Sequence, residues 1–262
     1  MKDLRPRHCF SITRNTHPML IRILTVLAIV VTTLCGCTPF GDDVLRKGTT
    51  ASAPEDGNRV AQTEPGPAET LVDPTTREIL RAYGPTIRKY ASRYEFDWRF
   101  ILATMKQESR FSPSAESHRG ASGLMQLMPT TGEEVARALD VENLSHPENN
   151  IRGGIYYLRE LYELFNGAEE GDRIKLTLAA YNAGIGRVYD AQEIAAYLHE
   201  NPLEWESIKD ALPLLSRRHG SLHRGVWNAS KPKTGWFGNS QETISYVESV
   251  MNHYDEYRLM LN

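Results

Sequence analysis

Cysteine is scarce in this 262-residue chain: there are three, and Cys9, Cys35 and Cys37 all fall within the first 37 residues. Whatever folds beyond that point has no disulfide to close it and must be held by its own apolar core. Long apolar runs are missing too. The longest, Ile23 to Leu34, is too short to cross a bilayer as a helix, which takes about 20 residues. No alternation of apolar and polar residues is long enough for a major sheet, and no internal repeat is visible. No His or Cys cluster has ligand spacing, so no metal and no cofactor is expected. Positive charge is also thin. Residues 1–37 carry five Lys or Arg and one Asp, so of 30 basic and 33 acidic side chains the remainder keeps 25 and 32, a formal net of −7. That balance excludes nucleic acid as a partner.

What is present begins with a leader. Lys2, Arg5, Arg7, Arg14 and Arg22 precede the apolar run, the layout of an export signal. Met19-Leu20-Ile21-Arg22 offers an alternative start that would give a leader of ordinary length. Leu34-Cys35-Gly36-Cys37 resembles a bacterial lipobox, which implies that residues 1–37 are a lipoprotein signal peptide and Cys37 the lipidated new N-terminus. Several acyl chains on one cysteine would hold a membrane firmly. Thr38, where a retention signal would place Asp, implies the periplasmic face of the outer membrane. Residues 38–73 are rich in Thr, Ala, Pro, Glu, Asp and Gly with no apolar period, and read as a flexible tether reaching roughly 30–35 Å.

Residues 74–262 read as one all-α domain. Helices are predicted over Arg77 to Tyr94, Trp98 to Arg110, Gly132 to Leu139, Ile151 to Phe165, Arg173 to Asn182 and Glu242 to Leu259. Asp97 is a candidate N-cap, Thr131 with Glu134 a capping box, Gly167 a stop after Asn166, and Asp172 a cap for the next helix. The last helix repeats Ile244, Val247, Met251 and Tyr254 on one face.

One carboxyl group stands out. Trp98, Ile101, Met105 and Glu108 fall at i, i+3, i+7 and i+10, so Glu108 continues a face otherwise given to the core. Desolvation there disfavours the charged form, raises the pKa and leaves a proton to donate, the profile of a general acid. A Glu at the frayed end of a helix, simply solvated or paired with Arg110 or Arg119, would carry the same local pattern.

The surroundings narrow the choice. Glu108-Ser109-Arg110-Phe111, Ser117, and Gly120-Ala121-Ser122-Gly123-Leu124-Met125-Gln126-Leu127-Met128-Pro129 closely resemble the core of the lytic transglycosylases related to the soluble enzyme. Asn149-Asn150-Ile151-Arg152-Gly153-Gly154-Ile155-Tyr156-Tyr157-Leu158 resembles that family's second motif, Ala179-Ala180-Tyr181-Asn182-Ala183-Gly184 its third, and Gln241-Glu242-Thr243-Ile244-Ser245-Tyr246-Val247 its closing one. Trp205 to Ser216 looks most like the F-type membrane-bound members. Those carry a solute-binding-protein-like domain ahead of the catalytic one, for which this chain is expected to have no room.

The resemblance implies a lysozyme-like fold, peptidoglycan glycan strands as substrate, and Glu108 as the catalytic residue. A second carboxylate, usual in glycosidases, is not evident; Glu116 reads as solvated. The family's solution is attack by the muramic acid's own 6-hydroxyl, leaving 1,6-anhydro ends without water. Ser117, Gln126 and Met128 would line the cleft beside the acid, Tyr181 and Asn182 would contact acetamido groups, Tyr246 would bring its hydroxyl near Glu108, and Glu242 would anchor the last helix. The plainer alternatives are a cap for Ser117, core for Met128, packing for Tyr181 and a structural hydrogen bond for Glu242. Between Arg217 and Gly238, Trp227 and Trp236 either stack on sugars with Arg217, Arg218, Arg224, Lys231 and Lys233 meeting peptide carboxylates, or form a surface loop with one Trp tucked in. A goose-type hydrolytic muramidase and a catalytically retired wall-binding lipoprotein are the competing functions.

Overall fold

An apolar stretch with no polar face goes to the middle of a fold. In the computed structural model, which describes residues 72–261, Phe100 to Met105 form such a stretch, each at most 1% exposed. They belong to the second of nine α-helices among the described residues. These are α1 (Pro74–Arg93), α2 (Trp98–Ser109), α3 (Pro129–Leu139), α4 (Pro147–Glu163), α5 (Glu170–Ala183), α6 (Ile185–Tyr197), α7 (Trp205–Ala211), α8 (Gly220–Trp227) and α9 (Ser240–Met260). Short 3-10 turns cover Leu212–Leu215 and Arg217–His219. There is no strand among the described residues, only isolated bridges pairing Ser122 with Glu116 and with Leu127. The fold is all-α, as the sequence predicts. The leader, Cys37 and the tether up to residue 71 lie outside the described residues.

Two helix pairings fix the positions of Glu108 and its neighbours. α2 packs along α9, the most extensive contact in the fold, and the two run antiparallel: Arg99 near the start of α2 donates to the Leu261 carbonyl at 3.0 Å, while Glu108 near its end meets Tyr246. α5 packs on α9, α4 and α6, and its Leu176, Leu178, Ala179 and Ala180 are fully buried.

Asp97 caps α2 as expected, accepting from the Arg99 N–H at 2.9 Å. Other expected signals give way. Thr131 and Glu134 form no capping box: α3 starts at Pro129, whose ring presets the first helical residue, and Met128 precedes it without a side-chain cap. Asp172 lies inside the first turn of α5, which begins at Glu170; its charge suits the helix dipole there. α4 ends at Glu163, before Asn166 and Gly167. Folded structure also starts earlier than residue 74, since Val72 is buried and Asp73 caps α1 by accepting from Thr76 N–H and hydroxyl. The stretch after Arg217 is not simply a loop, because it includes α8.

Candidate active site

The acid sits where the α2 ridge runs out. Ile101 and Met105, on the Glu108 face, are fully buried. After Ser109 the chain turns sharply: Arg110 and Phe111 both adopt left-handed backbone, φ 50 and 67°, which costs energy for non-glycine residues and is held here by local bonds. The Ser109 hydroxyl donates to Met105 O at 3.1 Å and accepts from the Phe111 N–H at 3.1 Å. The end of α2 is therefore fixed beside the acid.

Glu108 is only partly exposed, yet protein atoms crowd its carboxyl and burial pushes its pKa from 4.5 up to about 7. Tyr246, from the second turn of α9, donates its hydroxyl to Glu108 Oε1 at 2.5 Å and opposes that rise by favouring the carboxylate. Burial and the nearby Glu108 charge raise the Tyr246 hydroxyl well above its ordinary value, so it stays a donor. Tyr181 behaves alike: its burial comes first and Glu108 second in raising its pKa. Its hydroxyl donates to Met125 O at 2.7 Å, so Tyr181 is both near the acid and structurally engaged.

The loop between α2 and α3 is braced from within. Ser117 Oγ accepts the Ala121 N–H at 3.0 Å, and Gln126 Nε2 donates to Ala115 O and Gly123 O at 3.0 and 2.9 Å. From α4, buried Asn150 accepts the Met125 N–H at 2.8 Å and donates to Ser122 O at 3.1 Å. Gly123, at φ +80°, lies so close that a Cβ there would meet the Asn150 side chain at 2.5 Å. At Gly154 a Cβ would come within 2.5 Å of Met125 Cβ. The Asn-Asn-Ile-Arg-Gly-Gly stretch is thus the surface on which the loop docks.

Between this loop and α5 runs a cleft. Met128 and Gln126 line one side, Tyr181 and Asn182 the other, with Tyr157, Arg119 and Arg187 between. Met128 is 39% exposed, so it is not core. The cleft continues into a second opening that shares Arg119, Asn182 and Arg187 and adds Trp236, Phe237 and Glu242. Asn182 is exposed, and its Oδ1 accepts from the Thr243 hydroxyl at 2.8 Å. Glu242 is exposed and bonded by Asn239 within the first turn of its own helix, a local bond rather than a tie between α9 and the acid. Ser117 braces the loop instead of lining either opening. Glu116 is exposed. A larger cavity, about 470 Å³, bordered by Asp73, Lys106, Arg110 and His253, contains none of these residues.

The two tryptophans separate. Trp227 donates to Glu193 of α6 and flanks buried His223, which makes it a structural residue. Trp236 also packs on His223, with centroids 5.3 Å apart, and reaches the opening. Lys233 pairs with Glu193, and Thr234 is held by Asp190 through its N–H at 2.9 Å and its hydroxyl at 2.5 Å. Sequence pattern names Arg119 only as a possible partner of Glu108 and gives Arg187 and Tyr157 no role: an exposed Arg in a loop has no periodic signal, Arg187 lies in α6, where no helix is expected, and Tyr157 sits unmarked inside a motif. Among the described residues no group of three or more His, Cys, Asp or Glu could hold a metal.

Similarity to known proteins decides the family. Residues 85–202 match the family described as "Transglycosylase SLT domain". The chain carries an SLT transglycosylase domain. It is 37% identical over 177 residues to a membrane-bound lytic murein transglycosylase F of Desulfosudis oleivorans, covering 67% of this chain and 36% of that one. Against the Shewanella woodyi protein of the same name it is 34% identical over 187 residues, 69% of this chain and 36% of that one. The chain therefore spans about a third of the length of these curated relatives. Among solved structures, an inactive mutant of the lytic transglycosylase Slt of Pseudomonas aeruginosa aligns with TM-score 0.50 and 29% identity, over 69% of this chain and 24% of that one. The 70 kDa soluble lytic transglycosylase of Escherichia coli aligns with TM-score 0.50 and 25% identity, over 74% and 26%. The SLT match extends from α1 through α6, so it takes in the Glu108 loop, the Asn150 docking surface and the Tyr181-Asn182 wall.

Proposed function

We propose that this chain is a peptidoglycan lytic transglycosylase, cleaving the β-1,4 bond between N-acetylmuramic acid and N-acetylglucosamine to leave 1,6-anhydromuramyl ends. The observation that carries this is Glu108 itself: a carboxyl raised to about 7 by burial and steadied by one tyrosine hydroxyl. An acid near the working pH serves in both directions. Glu108 gives its proton to the glycosidic oxygen as the bond from C1 to that oxygen breaks, and N-acetylglucosamine leaves with a free hydroxyl. The muramyl 6-hydroxyl then bonds to C1 and returns its proton to the Glu108 carboxylate, so atoms balance without water. Tyr246 aims the acid and shares its charge. Met128, Gln126, Tyr181 and Asn182 form the cleft that holds the sugars, with the Gln126 Oε1 and Asn182 amide free to meet acetamido groups. Ser117 and Glu242 support the cleft through the loop and the α9 start. The names of the relatives, membrane-bound lytic murein transglycosylases, favour the same reading.

The catalytic domain, whose folded part includes Val72 and Asp73, is held to the periplasmic face of the outer membrane by lipidated Cys37 through the tether ahead of it. This rests on the Leu34 to Thr38 sequence. A Cys37→Ala chain that still partitions into the membrane would remove it.

Muropeptides released from purified peptidoglycan by residues 38–262, analysed by mass spectrometry, test the activity. Anhydro ends from the wild type and none from Glu108→Gln are expected. Free reducing ends would make the protein a muramidase, and wall binding without release would make it a scaffold.

A further inference from the structure

α9 turns one face toward two functional side chains. Thr243 and Tyr246 lie at i and i+3 in that helix, one turn apart on the same side. Tyr246 gives its hydroxyl to the acid, and Thr243 gives its own to Asn182 Oδ1 on α5 at 2.8 Å. Asn182 is exposed and borders both openings. Thr243 comes to the edge of the second opening but is only 2% exposed, so it meets the cleft through Asn182. Two other buried threonines behave differently. Thr104 in α2 and Thr177 in α5 return their hydroxyls to the carbonyls four residues back, Phe100 at 3.0 Å and Arg173 at 2.7 Å, an ordinary bond inside a helix. Thr243 instead reaches across 61 residues of chain.

That bond decides which end of the Asn182 carboxamide meets a ligand. The carbonyl and NH2 ends are alike in shape, and only a hydrogen-bond partner tells them apart. Charge around the opening does not choose, since Arg119 and Arg187 stand there together with the Glu242 carboxylate. The Thr243 hydroxyl does choose. It occupies Oδ1 and leaves Nδ2, which has no partner among the described residues, to face the cleft. An N–H pair held there answers a carbonyl oxygen on the substrate and offers nothing to an N–H or an ammonium group.

We propose that Thr243 is a positioning residue for glycan binding: it locks the Asn182 carboxamide with its N–H pair turned into the cleft, toward a carbonyl oxygen on the acylated sugar. This rests on peptidoglycan as the substrate. Without the Thr243 hydroxyl the carboxamide turns freely, and part of the time an acceptor faces an acceptor. Thr243 acts on binding through Asn182, and Tyr246, one turn on, acts on the acid, so the two hydroxyls of α9 serve separate steps.

A double-mutant cycle on binding, with turnover blocked, tests this. The full chain with Glu108→Gln is titrated by calorimetry with a soluble, peptide-free tetrasaccharide of alternating N-acetylglucosamine and N-acetylmuramic acid. Thr243→Val keeps the shape and removes the hydroxyl, and should weaken binding roughly three- to tenfold, the scale of one hydrogen bond. Thr243→Ser keeps the hydroxyl and should stay within about twofold of the parent. In an Asn182→Ala background Thr243→Val should change nothing further, because its effect runs through a side chain no longer there. With Glu108 restored, Thr243→Val should raise KM by the same factor and leave the alkaline limb of the pH–rate profile in place. Unchanged affinity in Thr243→Val, equal losses in Thr243→Ser and Thr243→Val, a full further loss on top of Asn182→Ala, or a moved alkaline limb overturns the proposal. No binding by the Glu108→Gln parent would remove the peptidoglycan reading and this proposal with it. Anhydro ends released by the wild type, alongside a Thr243→Val change without effect, would sink the proposal alone.

Discussion

At the residue scale the chemistry is a conflict between burial and a hydrogen bond, both acting on Glu108. Because its pKa rises from 4.5 to about 7, the folded chain keeps a proton that the unfolded chain releases. Stability therefore falls as pH climbs through that window and levels off above it. At about 1.4 kcal/mol per unit the full penalty is about 3 kcal/mol. Glu108→Gln should match wild type in urea unfolding near pH 4 and exceed it by up to about 3 kcal/mol at pH 8, while losing roughly a thousandfold or more in activity. Equal stabilities at both pH values would mean the carboxyl is solvated. Wild-type activity should decline above pH about 7 as the acid ionises. Tyr246→Phe removes a bond that favours the carboxylate, so the pKa should rise further. The alkaline limb of the pH–rate profile then moves upward, with the maximal rate down roughly 10- to 100-fold. A limb that stays in place would show that Tyr246 does not act on the acid.

At the scale of elements, the loop that walls the cleft is placed by α4, and two glycines on neighbouring helices separate contact from propensity. Gly154→Ala drives a methyl to 2.5 Å from Met125 Cβ and should cost about 1–3 kcal/mol by overpacking. Gly171→Ala, in the first turn of α5 with nothing within 4 Å, should be neutral or stabilise by up to about 1 kcal/mol. Thermal unfolding of the two variants checks the pair, and equal shifts would refute the docking argument. The same contrast explains what the sequence disclosed. Glu108 and the helices α1 to α5 and α9 announce themselves by period, and α2 by its Asp97 cap as well. α6 escapes because Gly184, at φ +90°, reads as a full stop, whereas it is the one-residue corner between α5 and α6. Yet Val188, Ala191, Ile194 and Ala195, all buried, have helical spacing that was there to be read. α7 and α8, with seven and eight residues, are too short to show a period. The segment that carries Trp236 depends on Asp190 and Glu193 reaching across 40 residues or more, which no local pattern reveals.

For the whole molecule, the site is a property of the entire domain. Glu108, Met125, Tyr181 and Tyr246 come from α2, the loop after it, α5 and α9, and a single core cluster extends from Val72 to Leu261. The last residue in that core, Leu261, is 2% exposed, and its carbonyl takes Arg99 from the start of α2, so the end of α9 is locked against the helix that carries the acid. With no cysteine beyond Cys37, nothing covalent backs up that contact. Leu261→Ala should cost about 2–4 kcal/mol, and α9 should loosen together with everything else. Residues 38–262 of this variant, melted while helicity, tryptophan fluorescence and residual activity are followed, should give one shared lower midpoint, the mark of all-or-none unfolding. Added reductant should leave that midpoint unchanged. Activity lost well below the loss of helicity would instead show that α9 detaches on its own and takes Tyr246 with it, making the acid's partner the weak point of an otherwise intact fold.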